Sequence, residues 1–284
     1  MLSLEPFSNL SVETLNESIR QFRRSNQSEI PDEKVIDRLL EVFTDKNNSN
    51  GFAFPTTPGR FEQGQSFYRV RCVQPNETIV PFKNFSKLED AWEPPASIVQ
   101  KRGRLNLVGQ PVLYTCPDDP ILAINEARVV DGEYCCVIKY KASKAIETSL
   151  IGAEIDLTKY RIDTAKKVEL FHDFLETEFT RDVADGLEHL YRLSHAIADT
   201  FYHRPNQDAW VYRSVVDRKK PNCAFISGRA KSCLDLVGAM IVKHNIQKLD
   251  ALEVKLVVGF AEGRAHYFKL GTVEQLELFP ELQV

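Results

Sequence analysis

The spacing of apolar residues divides the chain into a helical beginning, a strand-rich middle and a mixed end. Leu15, Ile19 and Phe22 recur at helical spacing behind Ser11, which predicts an amphipathic helix with a serine N-cap. Pro31-Asp32-Glu33 opens a second helix, since proline fits the first turn and acids suit the positive end of the helix dipole. Val35, Ile36, Leu39, Leu40 and Phe43 form its apolar stripe. Two such helices bury little alone, so they are expected to pack on the main body or on a partner. Residues 45–51, DKNNSNG, read as a loop.

From residue 66 the period changes. SFYRVRCV, residues 66–73, predicts a strand. A polar region with Pro75, Pro81, Pro94 and Pro95 follows, and its paired prolines exclude helix there. VLYT at 112–115 is a short strand, and Pro117-Asp118-Asp119-Pro120 is a turn that doubles as a helix N-cap. Residues 121–130 read as a helix, Asp131-Gly132 as a turn and YCCVIKY, 134–140, as a strand. Residues 163–201 are helical and mixed in charge, with Leu170, Phe174, Leu187, Leu190, Leu193 and Ile197 as core stripes. WVYRSVV at 210–216 is a strand, and KKPN at 219–222 turns into CAFI. The end of the chain predicts a helix over 234–244 and a hairpin: 252–260, a turn at Glu262-Gly263, then 265–270. These patterns divide the chain into a helical extension (1–60), a main domain (61–232) and a C-terminal helix and hairpin (233–284).

Composition narrows the functional classes. Over 284 residues the chain is 43% hydrophobic and 27% charged, which describes a globular protein with ample core. A net charge of −4 argues against direct nucleic-acid binding, which requires a basic face. No apolar run approaches the roughly 20 residues that span a bilayer, and no basic-then-apolar leader opens the chain. The six cysteines form no C-x-x-C pair, so neither a zinc pattern nor a disulfide framework is expected, and a cytoplasmic location is the simplest. The six histidines make no convincing ligand pair, and the common nucleotide, metalloprotease and hydrolase motifs are absent.

The remaining candidates are Arg104 in a Gly-flanked loop, Tyr114 on a strand, Glu126 on the following helix, Arg69 on an early strand and Ser214 on a late one. Singly, each has an ordinary explanation. Arg69 or Arg71 can be a solvated strand residue, Tyr114 core, Glu126 an exposed charge and Ser214 incidental. Arg104, beside Lys101 and Arg102, can belong to a plain basic loop. Together they suit one ligand. An arginine fork binds phosphate, a tyrosine ring packs on a planar cation, and a carboxylate stabilises the positive ribose left when a glycosidic bond breaks. That ligand is a dinucleotide with a cationic base, oxidised NAD.

FYRVR, GRLN with the following Gly109, PVLY, INEAR and YRSVV, in that order, resemble the RES domain family over about residues 66–228. The resemblance implies an α+β fold: an ADP-ribosyltransferase-like core of curved sheets with flanking helices. The N-terminal helices and C-terminal hairpin are additions to it. It implies NAD as substrate, with Arg104 and Arg69 at the phosphates or the nicotinamide-side ribose. Tyr114 is implied to pack on nicotinamide, Glu126 to steady the ribose cation, and Ser214 to orient nicotinamide or its ribose. The implied activity is cleavage of the nicotinamide–ribose bond, with water, phosphate or a protein as acceptor. The implied setting is the toxin of a toxin–antitoxin pair whose partner is a helix-turn-helix protein. The chain departs from the family at Arg102, Leu105 and Arg213, and in the long segment between Glu126 and Ser214. Those departures keep a second class open: a non-catalytic nucleotide-binding or protein-interaction module. A third possibility is that the N-terminal helices cover the cleft as an internal regulator.

Overall fold

Strands, four of them buried on both faces, run through the middle and end of the chain, and they assemble into an α+β fold around a ten-stranded, mostly antiparallel sheet. The computed structural model describes residues 10–25, 30–44, 56–72, 82–83, 85–153, 155–184, 186–247 and 252–282. The strands are β1 (Thr57–Phe61), β2 (Ser66–Cys72), β3 (Leu113–Pro117), β4 (Tyr134–Ala142) and β5 (Ile146–Leu150). They continue with β6 (Ala209–Arg213), β7 (Pro221–Phe225), β8 (Leu234–Lys243), β9 (Glu253–Ala261) and β10 (Arg264–Lys269). Their order across the sheet is β1-β5-β6-β7-β3-β2-β4-β8-β9-β10. The helices are α1 (Val12–Arg24), α2 (Val35–Phe43), α3 (Pro120–Glu126), α4 (Ile162–Phe179), α5 (Tyr191–Phe201), α6 (Ala230–Cys233) and α7 (Val273–Leu278).

The sheet has a seam. β2 and β3 pair only through Phe67–Pro117 and Tyr68–Cys116. Beyond that point β2 stays with β4 as far as Cys72, while β3 goes with β7. Strand alternation shows how the two halves sit. Ala209 and Val211 of β6 share a core with Phe67, Ile138, Tyr140 and Ala239 of the other half, so the halves pack face to face. The intervening Trp210 and Tyr212 point the other way, into a core with α1, α2, α4 and α5. On the far side of the second half, Cys135, Val137, Met240 and Val257 pack with Ile124 of α3 and with Phe279. The adjacent Cys135 and Cys136 therefore lie on opposite faces of β4, in different cores.

The N-terminal pattern is realised closely. Ser11 caps α1 by accepting from the Thr14 amide at 3.0 Å. Both helices pack on the main body: Phe22 meets Phe174 and Phe43 meets Phe171, with ring centroids 5.9 and 5.1 Å apart. The loop read at 45–51 lies outside the described residues, as do Val73, Pro75 and Pro81.

Three expectations are corrected. The helix expected over 234–244 is strand β8, paired with β4 and β9. Leu234, Ala239 and Ile241 face the inner core while Met240 and Val242 face the outer one, so the run carries no polar alternation. A bulge also shifts its phase. Lys139 pairs Gly238 but Tyr140 pairs Leu236, and a Cβ on Gly238 would lie 2.6 Å from the Val258 carbonyl oxygen. The helix expected over 121–130 ends at Glu126, because Arg128 takes a left-handed backbone with φ 52°. Leu187 is exposed and belongs to no core stripe. β1, β5 and α7 carry no strong signal in the pattern. The C-terminal hairpin does form as read, turning at Glu262 and Gly263, both with positive φ. Among the described residues, no helix is long and apolar enough to cross a membrane.

Candidate functional site

The opening between β2 and β3 is a cleft of about 250 Å³. Tyr68, Arg69 and Val70 of β2 form one wall, Tyr114 and Cys116 of β3 another, and Glu126 and Ala123 of α3 contribute a third. Tyr212 of β6 and Asn222 of β7 complete it. Among the described residues, none of α1 or α2 lines this cleft, and the apolar faces of those helices are occupied by α4 and α5.

Glu126 is the last residue of α3, at the negative end of the helix, where a carboxylate is electrostatically disfavoured. Its position is held from outside the helix. The Ser214 hydroxyl, the Val215 amide at 3.1 Å and the Asn222 side-chain amide at 2.7 Å all donate to Oε1. All three donors come from the β6–β7 hairpin. An acid at the negative end of a helix, held by convergent donors at the rim of a cleft, departs from the local rule in the way that marks a candidate site.

Ser214 is fully buried and acts within this set. Its hydroxyl donates to Glu126 and accepts from the amides of Val216 and Asp217, each at 3.0 Å. One donor and two acceptor lone pairs are the whole capacity of a hydroxyl. Ser214 therefore positions Glu126 and has no hydrogen bond left for nicotinamide, which corrects the contact expected of it. The same turn ends the expected strand 210–216 at Arg213.

Arg104 does not reach the cleft. It is 8% exposed, and its guanidinium donates to the Phe179 carbonyl and, at 3.0 Å, to the Arg181 carbonyl, just past the end of α4. The rings of Tyr191 and Tyr212 lie 5.3 and 5.6 Å from its central carbon. A buried cation at a helix C-terminus between two aromatic rings is satisfied where it is. Its expected place on the phosphates is thus corrected: Arg104 stands behind Tyr212, which lines the cleft.

Tyr114 belongs to both regions. Its ring faces the cleft, while its hydroxyl accepts from the Leu105 amide at 3.0 Å and donates to Asn106 Oδ1 at 3.0 Å. Burial pushes the pKa of this hydroxyl up, against the Leu105 amide and the Arg104 charge, so it remains a neutral donor. Gly103 is required here, since a Cβ would sit 2.2 Å from Asn106 Oδ1 and 3.1 Å from the tyrosine oxygen. GRLN is thus a locked loop beneath Tyr114. Leu105 enters the core, and Arg102 bonds Asp32 at 2.7 Å, which ties the loop to the N-terminal helices.

Arg69 lines the cleft and donates to the Trp92 carbonyl. Arg71, two residues on, bonds the Asp90 carbonyl at 2.9 Å. The structure therefore brings Arg69, Tyr114 and Glu126 to one cleft, places Ser214 directly behind Glu126 and turns Arg104 away. Sequence reasoning missed Tyr212 and Asn222. Asn222 looked like an ordinary turn residue in KKPN, and only the pairing of Tyr212 with Asn222 in the hairpin brings the two side by side at the cleft. The chain was compared with protein-family models, curated proteins and solved structures, and none of the three comparisons found a match.

Proposed function

We propose that this protein consumes NAD by cleaving the nicotinamide–ribose bond. The observation that carries the reading is Glu126: a carboxylate at a cleft, fixed through one oxygen by three donors. In the reaction the C1′–N bond breaks and its electron pair moves onto nicotinamide, neutralising that ring. Positive charge develops on the ribose, where a preorganised carboxylate stabilises it more than it stabilises bound NAD. Tyr114 and Tyr212 supply the aromatic surface for nicotinamide, and Arg69 the charge for the phosphates. Arg104 and Ser214 act by holding Tyr212 and Glu126. The cleft is slightly below the roughly 300–1,000 Å³ of typical ligand pockets, which suits the nicotinamide ribosyl end with the adenylate half on the open rim.

The same proposal covers the finer fold, an ADP-ribosyltransferase-like core. A curved α+β core is what the resemblance to the RES domain implies, and a sheet parted at the site supports it. The resemblance also suggests a toxin restrained by a helix-turn-helix antitoxin that plugs the cleft. Water, phosphate or a protein side chain can take up the ribose cation. Incubation of the purified protein with NAD, with and without phosphate, separates these outcomes. ADP-ribose, its phosphorylated form or labelled protein marks the acceptor. A second reading, a non-catalytic nucleotide-binding module, is favoured by the withdrawal of Arg104 from the cleft. Intact NAD after incubation, together with measurable NAD binding, selects it.

A further inference from the structure

We infer that Asn222 is a positioning residue for Glu126 and that the Cys116 thiol sets the orientation of its amide. This inference concerns the same site and rests on the reading of Glu126 given above. Asn222 is 5% exposed and Cys116 4% exposed, and both line the cleft. The thiol donates to Asn222 Oδ1 at 3.2 Å, and Asn222 Nδ2 donates to Glu126 Oε1 at 2.7 Å. A carboxylate only accepts, so Glu126 requires the NH₂ side of the amide. A thiol donor on the opposite side rewards the same orientation. Burial, followed by the charges of Glu126 and Asp119, pushes the thiol pKa up, so it keeps its proton and stays a donor.

The three residues come from three elements, β3, β7 and α3, and meet only where the sheet parts. Thr115, beside Cys116, donates to the Cys223 carbonyl at 3.1 Å and fastens β3 to β7 at this level. The relay therefore transmits the position of β3, which carries Tyr114, to the carboxylate on α3. The ring that lines the cleft and the acid are held in register through one thiol and one amide.

Asn222→Asp is the sharpest test because it keeps the shape and changes the chemistry. It sets two carboxylates face to face, so they must share a proton. The other titratable or charged groups around them are Tyr68 and Arg69 on β2, Tyr114 and Cys116 on β3, Tyr212 on β6, and the Asp119–Lys220 pair, 2.5 Å apart, between α3 and β7. Below the higher apparent pKa of the pair the aspartic acid donates to Glu126 as the amide did. Above it the pair repels. The variant is expected to release nicotinamide at low pH and to lose that activity as pH rises, relative to the parent protein. Asn222→Ala and Cys116→Ala lower kcat about 10- to 100-fold and about several-fold respectively, with KM for NAD little changed. Cys116→Ser keeps a donor and retains more activity than Cys116→Ala.

The companion measurement needs no turnover: carboxyl ¹³C titration of Glu126 in the folded parent and in Asn222→Asp. The inference expects one carboxyl of the variant to titrate well above the ordinary range, coupled to the other. Two independent, ordinary titrations overturn it, as does an Asn222→Asp pH profile superimposable on the parent's. If the parent protein releases no nicotinamide, the proposed function fails and the carboxyl titration alone decides the role of Asn222.

Discussion

Replacing Arg104 by Met separates a structural arginine from a phosphate-binding one. The substitution keeps an apolar stem and removes the guanidinium. Two charge-assisted hydrogen bonds are lost, to the carbonyls of Phe179 and Arg181, each worth about 1.5–3 kcal/mol. The stacking of the cation between Tyr191 and Tyr212 is lost as well, worth about 1–2 kcal/mol in a buried setting. These terms overlap, so the expected destabilisation is about 3–5 kcal/mol. At about 2–4 °C per kcal/mol for a large domain, the thermal midpoint falls by roughly 6 °C or more. Arg104→Lys keeps the charge without the fork and falls between the two. Urea denaturation gives the free energies, and NAD turnover at a temperature where each variant is folded gives KM. KM is expected to rise by no more than about a few-fold, because the guanidinium bears on the cleft only through the Tyr212 ring that it holds. Unchanged stability with a large rise in KM would show that Arg104 works on the substrate and would refute the placement.

Other substitutions probe the remaining joints. Ser214→Ala strands the amides of Val216 and Asp217 and removes one donor from Glu126, so it costs about 2–3 kcal/mol in chemical denaturation and lowers kcat with little effect on KM. A rise in KM alone would instead mean that the hydroxyl contacts nicotinamide. Gly238→Ala drives a Cβ against the Val258 carbonyl in the middle of the sheet and destabilises by about 1–3 kcal/mol, measurable in the same denaturation assay; a neutral effect would contradict the bulge. Burial raises the pKa of Glu178, against the charges of Arg181 and Arg23. The folded state therefore binds this proton more tightly than the unfolded chain does. Its contribution is favourable below the unfolded value of 4.5 and is lost as pH rises through the folded value. Glu178→Gln should flatten that part of the stability–pH curve, and an unaltered curve would count against a buried, strained carboxyl.

Local chemistry was legible wherever one turn or one face decided the outcome. Ser11, the 3-10 turn that Pro31 opens ahead of α2, the Asp119 cap and the Glu262-Gly263 hairpin all follow from nearest-neighbour physics. The periodic signal failed at β8, because a strand buried on both faces has no polar alternation and its bulge at Gly238 breaks the phase. It overran at α3, where the left-handed Arg128, not a glycine or proline, ends the helix. The site divides along the same line. Residue types singled out Glu126, Arg69 and Tyr114, three side chains that line one cleft, but direction is a tertiary property. Arg104 could not be assigned to the carbonyls at the C-terminal end of α4 from sequence, since 179 − 104 = 75 positions separate it from Phe179. Asn222 and Tyr212 were hidden for a related reason. Each is unremarkable in its own segment and acquires a role only when β6 and β7 pair beside the seam.

The central claim is that Glu126 stabilises a ribose cation formed from NAD. The most direct measurement is nicotinamide release by the purified protein and by Glu126→Gln, with NAD affinity measured in parallel. The account predicts release by the parent protein, a loss of turnover of about 100-fold or more in the variant, and NAD binding that stays within a few-fold. Equal release by the two proteins, or no release by either, would contradict it.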